Sequence, residues 1–141
     1  MLNINRYTLT ILVVAVLALS ACGPQIPITG EKEKVTPSSL EPIEGTDLSR
    51  VILTEKAAER IDVQTVEVNG NEVPYTAVIY DTKGNTWVYT NPEPLTYVRA
   101  SIVIDHIDGD VAILARALDS GTSVVTVGVA ELYGAETGVS K

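Results

Sequence analysis

Apolar and polar residues alternate most regularly along Val73-Pro-Tyr-Thr-Ala-Val-Ile-Tyr-Asp-Thr-Lys-Gly-Asn-Thr-Trp-Val-Tyr-Thr90. A period of two is the mark of a strand with one covered face. Asp81 and Asn85 flank Thr82-Lys83-Gly84, a three-residue loop with glycine last, where the type I turn with a G1 bulge requires a left-handed residue. This β-hairpin pairs Tyr80 with Thr86, Ile79 with Trp87, Val78 with Val88 and Ala77 with Tyr89. One face then carries Tyr75, Ala77, Ile79, Trp87 and Tyr89, and its aromatic content marks it as core. The other carries Thr76, Val78, Tyr80, Thr86, Val88 and Thr90 and is expected to be half-covered.

Upstream, Val51-Ile-Leu53 is a short apolar run followed by Thr54, which suits a helix N-cap, and Glu55, which favours the helix dipole. Ala57, Ala58 and Ile61 share one face of a helix through about Ile61. Val63 to Val68 predicts a strand, Asn69-Gly70 a tight turn, and Pro74 an edge position or a strand start. Downstream, Asn91-Pro-Glu-Pro94 predicts a stiff loop and Leu95 to Ile104 a long strand. Asp108-Gly109 signals a type I′ turn into Val111 to Leu114. Leu118 to Thr122 predicts a loop, Ser123 to Val127 the last strand, and Val129 to Tyr133 a helical turn. Short strands separated by turn signals indicate an all-β fold, a small roll or barrel with one short helix.

The N-terminal pattern is of another kind. Arg6 precedes an apolar run from Leu9 to Leu19, too short for a spanning helix and suited to a secretion signal. Leu19-Ser20-Ala21-Cys22 resembles a bacterial lipobox, in which the cysteine is acylated and becomes the new N-terminus. Cys22 is the expected lipidation site. It is the only cysteine, so an intrachain disulfide is excluded. The domain expectation is a signal peptide over 1–21, a lipidated flexible tether over 22–47, a β-rich domain over 48–134 and a frayed tail over 135–141. The tether rests on Pro24, Pro27, Pro37 and Pro42, the charge run Glu31 to Lys34, and the lack of periodicity. Its span is on the order of 25–30 Å.

Charge narrows the partners. The chain carries a formal charge of −8, with 10 basic and 18 acidic residues. Loss of residues 1–21 removes Arg6 and no acid, leaving nine basic residues against 18 acids, or −9. An acidic surface argues against nucleic acid and against adhesion to anionic headgroups. Membrane attachment is then expected through acyl chains, on the extracytoplasmic side of a membrane in the cell envelope.

Candidate chemistry is sparse. Asp105-His106-Ile-Asp108-Gly-Asp110 is the densest polar cluster. It lacks the EF-hand spacing, since Ile107 and Gly109 occupy ligand positions and no glutamate stands at the twelfth. His106 is the only histidine, so no second soft ligand accompanies it for zinc or copper. No nucleophile elbow or phosphate loop is present. No catalytic, cofactor-binding or metal-binding residue is expected, and the Asp105–Asp110 stretch reads as a turn. Trp87 and the tyrosines alternate at strand spacing, which favours core packing over a ligand-stacking platform.

Three stretches carry a family resemblance. Val73 to Asp81 with Gly84 to Tyr89 resembles part of the periplasmic adaptor subunits, or membrane fusion proteins, of RND-type efflux pumps. Leu118-Asp-Ser-Gly-Thr-Ser-Val-Val-Thr-Val-Gly128, running into Ala130 to Gly134, resembles a second part. Leu53-Thr-Glu-Lys-Ala-Ala-Glu-Arg-Ile-Asp-Val-Gln-Thr65 is similar to the segment that opens many adaptors. The matches cover most of residues 51–134, in the family's order. Full adaptors insert a β-barrel domain, a lipoyl domain and usually a helical hairpin before the Val-Pro stretch, where this chain has only Asn69 to Glu72. The resemblance therefore implies the membrane-proximal β-roll alone. The metal-binding methionines of copper-exporting adaptors have no counterpart, since Met1 is the sole methionine. What the resemblance implies is a non-enzymatic, lipid-anchored envelope module that docks on an RND-type transporter, an adaptor or another envelope partner. The alternative is a lipoprotein that binds a small molecule or metal ion.

Overall fold

The computed structural model describes residues 36–138, so Cys22, the signal and most of the expected tether lie outside the described residues. The strands are β1 (Ser38–Pro42), β2 (Ser49–Leu53), β3 (Gln64–Pro74), β4 (Ile79–Tyr80), β5 (Thr86–Glu93), β6 (Thr96–Ile102), β7 (Ile104–Asp108) and β8 (Val111–Val127). Helix α1 (Glu55–Arg60) follows β2, and α2 (Val129–Thr137) follows β8. The described residues form an all-β fold, as their alternation predicts. All eight strands join one open antiparallel sheet in the order β1-β2-β6-β5-β8-β3, with β4 beside β5 and β7 beside β8.

Buried clusters lie on both faces of this sheet, because successive residues of a strand point to opposite faces. On β5, Val88 points to a cluster with Val68, Val73, Ile102, Leu114 and Val124. Its neighbour Tyr89 points to a second cluster with Val51, Leu53, Ile79, Tyr97, Val125 and Leu132. Half-buried Ala57, Ala58 and Ile61 of α1 and its C-cap, and Val129 and Tyr133 of α2, pack against the second cluster. The Thr54 hydroxyl accepts from the Ala57 amide at 3.2 Å and caps α1 as expected.

The hairpin tip forms as the sequence implies. Ile79 pairs with Trp87 and Tyr80 with Thr86. The Asp81 amide donates to Asn85 O and the Gly84 amide to Asp81 O, both at 3.0 Å, with Gly84 at φ +83°. The Asp81 carboxylate accepts the Asn85 side chain, the Asn85 and Lys83 amides, and Trp87 Nε1. These donors, the Asn85 side chain foremost, hold its pKa far below the usual carboxylate range.

The pairing ends sooner than the alternation suggests. Pro74 closes β3, and Tyr75–Ala77 form a single 3₁₀ turn in which the Val78 amide donates to Tyr75 O. The expected Val78–Val88 and Ala77–Tyr89 pairs are therefore absent from β4–β5, and Ala77 packs in the Val88 cluster instead. Tyr75, expected in the core, is exposed, and Val88, expected half-covered, is fully buried.

Two predicted reversals are bulges inside long strands. Asn69-Gly70 and Leu118–Thr122 belong to β3 and β8, which pair along most of their lengths. Between Val68↔Thr122 and Gly70↔Leu118, three residues of β8 oppose Asn69 alone. Gly70 and Gly121 supply φ of +94° and +80° there, and Ser120 Oγ donates to Asn69 Oδ1 at 2.9 Å. Glycine thus bends a paired strand rather than ending it. Elsewhere β5 continues through Asn91-Pro92-Glu93, leaving only Pro94-Leu95 as the turn. At the β7–β8 turn the central residues are Gly109 and Asp110, and only Gly109 has positive φ, as in type II′ rather than the expected type I′.

Both ends of the expected domain move outward. Ser38–Pro42, assigned to the tether, pairs with β2 from Ser38↔Leu53 to Pro42↔Ser49. The Thr54 amide also donates to Pro37 O at 3.0 Å. The expected helical turn at Val129 to Tyr133 continues to Thr137, with Gly138 as a left-handed C-cap, so residues 135–137 of the predicted frayed tail are helical.

Candidate functional site: a buried charge network

Glu136, near the end of α2, reaches three strands. Its Oε1 accepts from the Ser49 amide of β2 at 3.3 Å and from Arg99 Nη2 of β6 at 3.1 Å. Its Oε2 accepts the Tyr89 hydroxyl of β5 at 2.5 Å. Arg99 Nε lies 2.7 Å from Oε2 as an ion-pair contact, although its N–H is not aligned for a hydrogen bond. The side chains of Arg99 and Glu136 are only 11% and 4% exposed. The guanidinium lies over two aromatic rings, 4.9 Å from the ring centre of Trp87 and 5.5 Å from that of Tyr133.

Alternation explains the placement. Tyr97 and Arg99 leave β6 on the same face, toward the Tyr89 side of β5, whose register is Tyr89↔Arg99. Glu136 lies four residues beyond the fully buried Leu132 and so shares its helical face. Burial, then the Glu136 carboxylate, pushes the Tyr89 phenol far above its ordinary value, since both favour the neutral hydroxyl. With both Glu136 oxygens engaged and little solvent access, the network suits holding elements together more than proton transfer to a ligand.

The residues singled out from the sequence stand elsewhere. Trp87, expected in the core, is half-buried at the edge of this network, and its Nε1–H donates to Asp81 Oδ2 at 3.1 Å. Asp105, His106, Asp108 and Asp110 are all exposed on β7 and its turn. His106 Nδ1 lies 2.8 Å from Asp105 Oδ2, and these two side chains are 59% and 66% exposed. Among the described residues, no group of three or more His, Cys, Asp or Glu side chains converges. Isothermal titration with zinc, copper or calcium is expected to give no saturable micromolar heat. Calcium needs ~6–8 oxygens and zinc at least three protein ligands. Micromolar binding that disappears in His106→Ala or Asp108→Asn would reverse this.

Sequence reasoning missed the network. Its one signal was a charged residue in an apolar strand, Arg99, but its partner lay beyond Gly134, where the helix was expected to have ended. The surface also has an open cleft lined by Ser101–Val103 and Ala115–Leu118. A second groove on the other side of Val103 is lined by Tyr80 and Ile104. Comparison with protein-family models, with curated proteins and with solved structures finds no match to this chain.

Proposed function

We propose that this protein is a non-enzymatic, lipid-anchored module of the cell envelope, similar to the membrane-proximal domain of efflux adaptors. It docks on a membrane transporter or another envelope partner. The observation that carries this reading is the resemblance of three stretches, in the adaptor family's order, across residues 51–134. Two further observations support it. The buried charges satisfy one another within the domain, and Tyr80 and Val103 are 53% and 64% exposed beside the two grooves, leaving apolar side chains for a partner. A photo-cross-linker at Val103, in cells, is expected to capture an integral membrane transporter or an adaptor. The absence of any adduct with an envelope protein would refute docking.

Attachment is separable from docking. Cys22→Ala is expected to leave the fold intact and abolish membrane association, because the acidic chain cannot substitute electrostatically for acyl chains. Binding of the purified variant to protein-free lipid vesicles tests this, and binding that survives a high-salt wash would refute the anchor.

A further inference from the structure

Helix α2 is weakly specified by its own sequence. It has nine residues, below the ~12–15 at which isolated helices become marginal in water. Gly134 lies within it, and a glycine stands at each cap. The N-cap, Gly128, has no side chain to satisfy the free amides of the first turn. Leu132 is its one fully buried side chain.

Its apolar side packs on the sheet through Leu132 with half-buried Val129, Tyr133 and Ala135, and its remaining attachment is concentrated at its two ends. At one end Gly128 turns the chain with φ +87°, so close to Ile61 and Val63 that an added Cβ would lie 3.2 Å from Val63 Cγ2. At the other end Glu136 makes the hydrogen bonds to Ser49, Tyr89 and Arg99, and the Tyr133 ring centre lies 5.5 Å from the Arg99 guanidinium. Beneath lies the apolar cluster of β2, β5, β6 and β8, which is held together by the sheet as well as by the helix.

We propose that α2 is a hinged strap, turning at Gly128 and latched by Glu136, that opens as a unit while the sheet stays folded. Opening exposes the apolar surface around Val51, Tyr89 and Tyr97 and frees Arg99 from its carboxylate. Trp87, stacked on Arg99, reports the event. A nine-residue unit with one fully buried side chain is the kind that opens below the global unfolding free energy.

Native-state hydrogen exchange of the full-length chain, in increasing sub-denaturing urea, tests the strap. In wild type, amides from Leu132 to Thr137 are expected to be on the order of 10²-fold less protected than those of β5, β6 and β8, with a weak urea dependence. Glu136→Gln is expected to accelerate α2 exchange by about 10- to 100-fold, through loss of charge-assisted hydrogen bonds, and sheet amides that exchange by global unfolding by a similar factor, because the latch is absent from both open states. It should also increase acrylamide quenching of Trp87, the only tryptophan. Equal protection and equal urea dependence of α2 and the sheet in wild type would overturn the proposal, even if the variant does not fold. So would α2 exchange that Glu136→Gln leaves unchanged.

Discussion

Replacing Arg99 with alanine is expected to destabilise the protein by about 3–5 kcal/mol, as when one partner of a buried ion pair is removed. The Glu136 side chain is only 4% exposed, so without the guanidinium its charge stays desolvated, with the Ser49 amide and Tyr89 hydroxyl as remaining donors. Truncation also opens a gap between Trp87 and Tyr133, the rings nearest the guanidinium. The cost comes mainly from the orphaned carboxylate, not from an intrinsic strength of the pair. The triple variant Arg99→Met, Glu136→Leu, Tyr89→Phe, which also removes the buried phenol that loses its acceptor, should therefore recover most of the loss, since a buried charge network replaced by apolar residues of similar volume is often neutral or better. Urea melts of the two variants decide it. A loss below ~1 kcal/mol for Arg99→Ala would mean that solvent already reaches Glu136.

How far this arrangement was legible depends on the range of each signal. The hairpin tip was readable because everything that sets it lies between Asp81 and Asn85, within one turn. The α1 cap was readable for the same reason, since Thr54 contacts an amide three residues away. Asn69-Gly70 misled because its local preference is the same in a hairpin and in a bulge. What decides between them is β8, which reaches Gly70 through Leu118, 48 positions later. Leu118 to Thr122 misled symmetrically. The charge network spans still more chain, joining Ser49, Tyr89, Arg99 and Glu136. No local pattern pairs an arginine with a carboxylate 37 residues away, and Gly134 argued against the helix that delivers it. The Ser38–Pro42 strand was hidden by composition, because a polar, proline-flanked edge strand takes its order from pairing with β2 rather than from burial.

Tyr89→Ala is expected to cost about 3–5 kcal/mol, the usual range for a fully buried aromatic side chain. Tyr89→Phe separates the hydroxyl from the ring. It keeps the packing but deprives Glu136 Oε2 of its hydroxyl donor, for an expected loss of about 1–3 kcal/mol near neutral pH. The pH dependence adds a sharper test. The folded-state pKa of Tyr89 is raised, by burial first and then by the Glu136 carboxylate, above an unfolded value near 10. The folded state therefore binds more protons than the unfolded state at alkaline pH. The associated stability is fully present below pH ~10 and is lost as pH rises from there toward the folded pKa. The limiting slope for one such group is about 1.4 kcal/mol per pH unit. Tyr97, also raised by burial, adds to the wild-type slope and remains in both proteins. Wild type should thus lose stability between pH 10 and 11 more steeply than Tyr89→Phe, and the two curves should converge. Parallel curves in urea melts at pH 8, 10 and 11 would show that the Tyr89 hydroxyl ionises as freely in the folded chain as in the unfolded one.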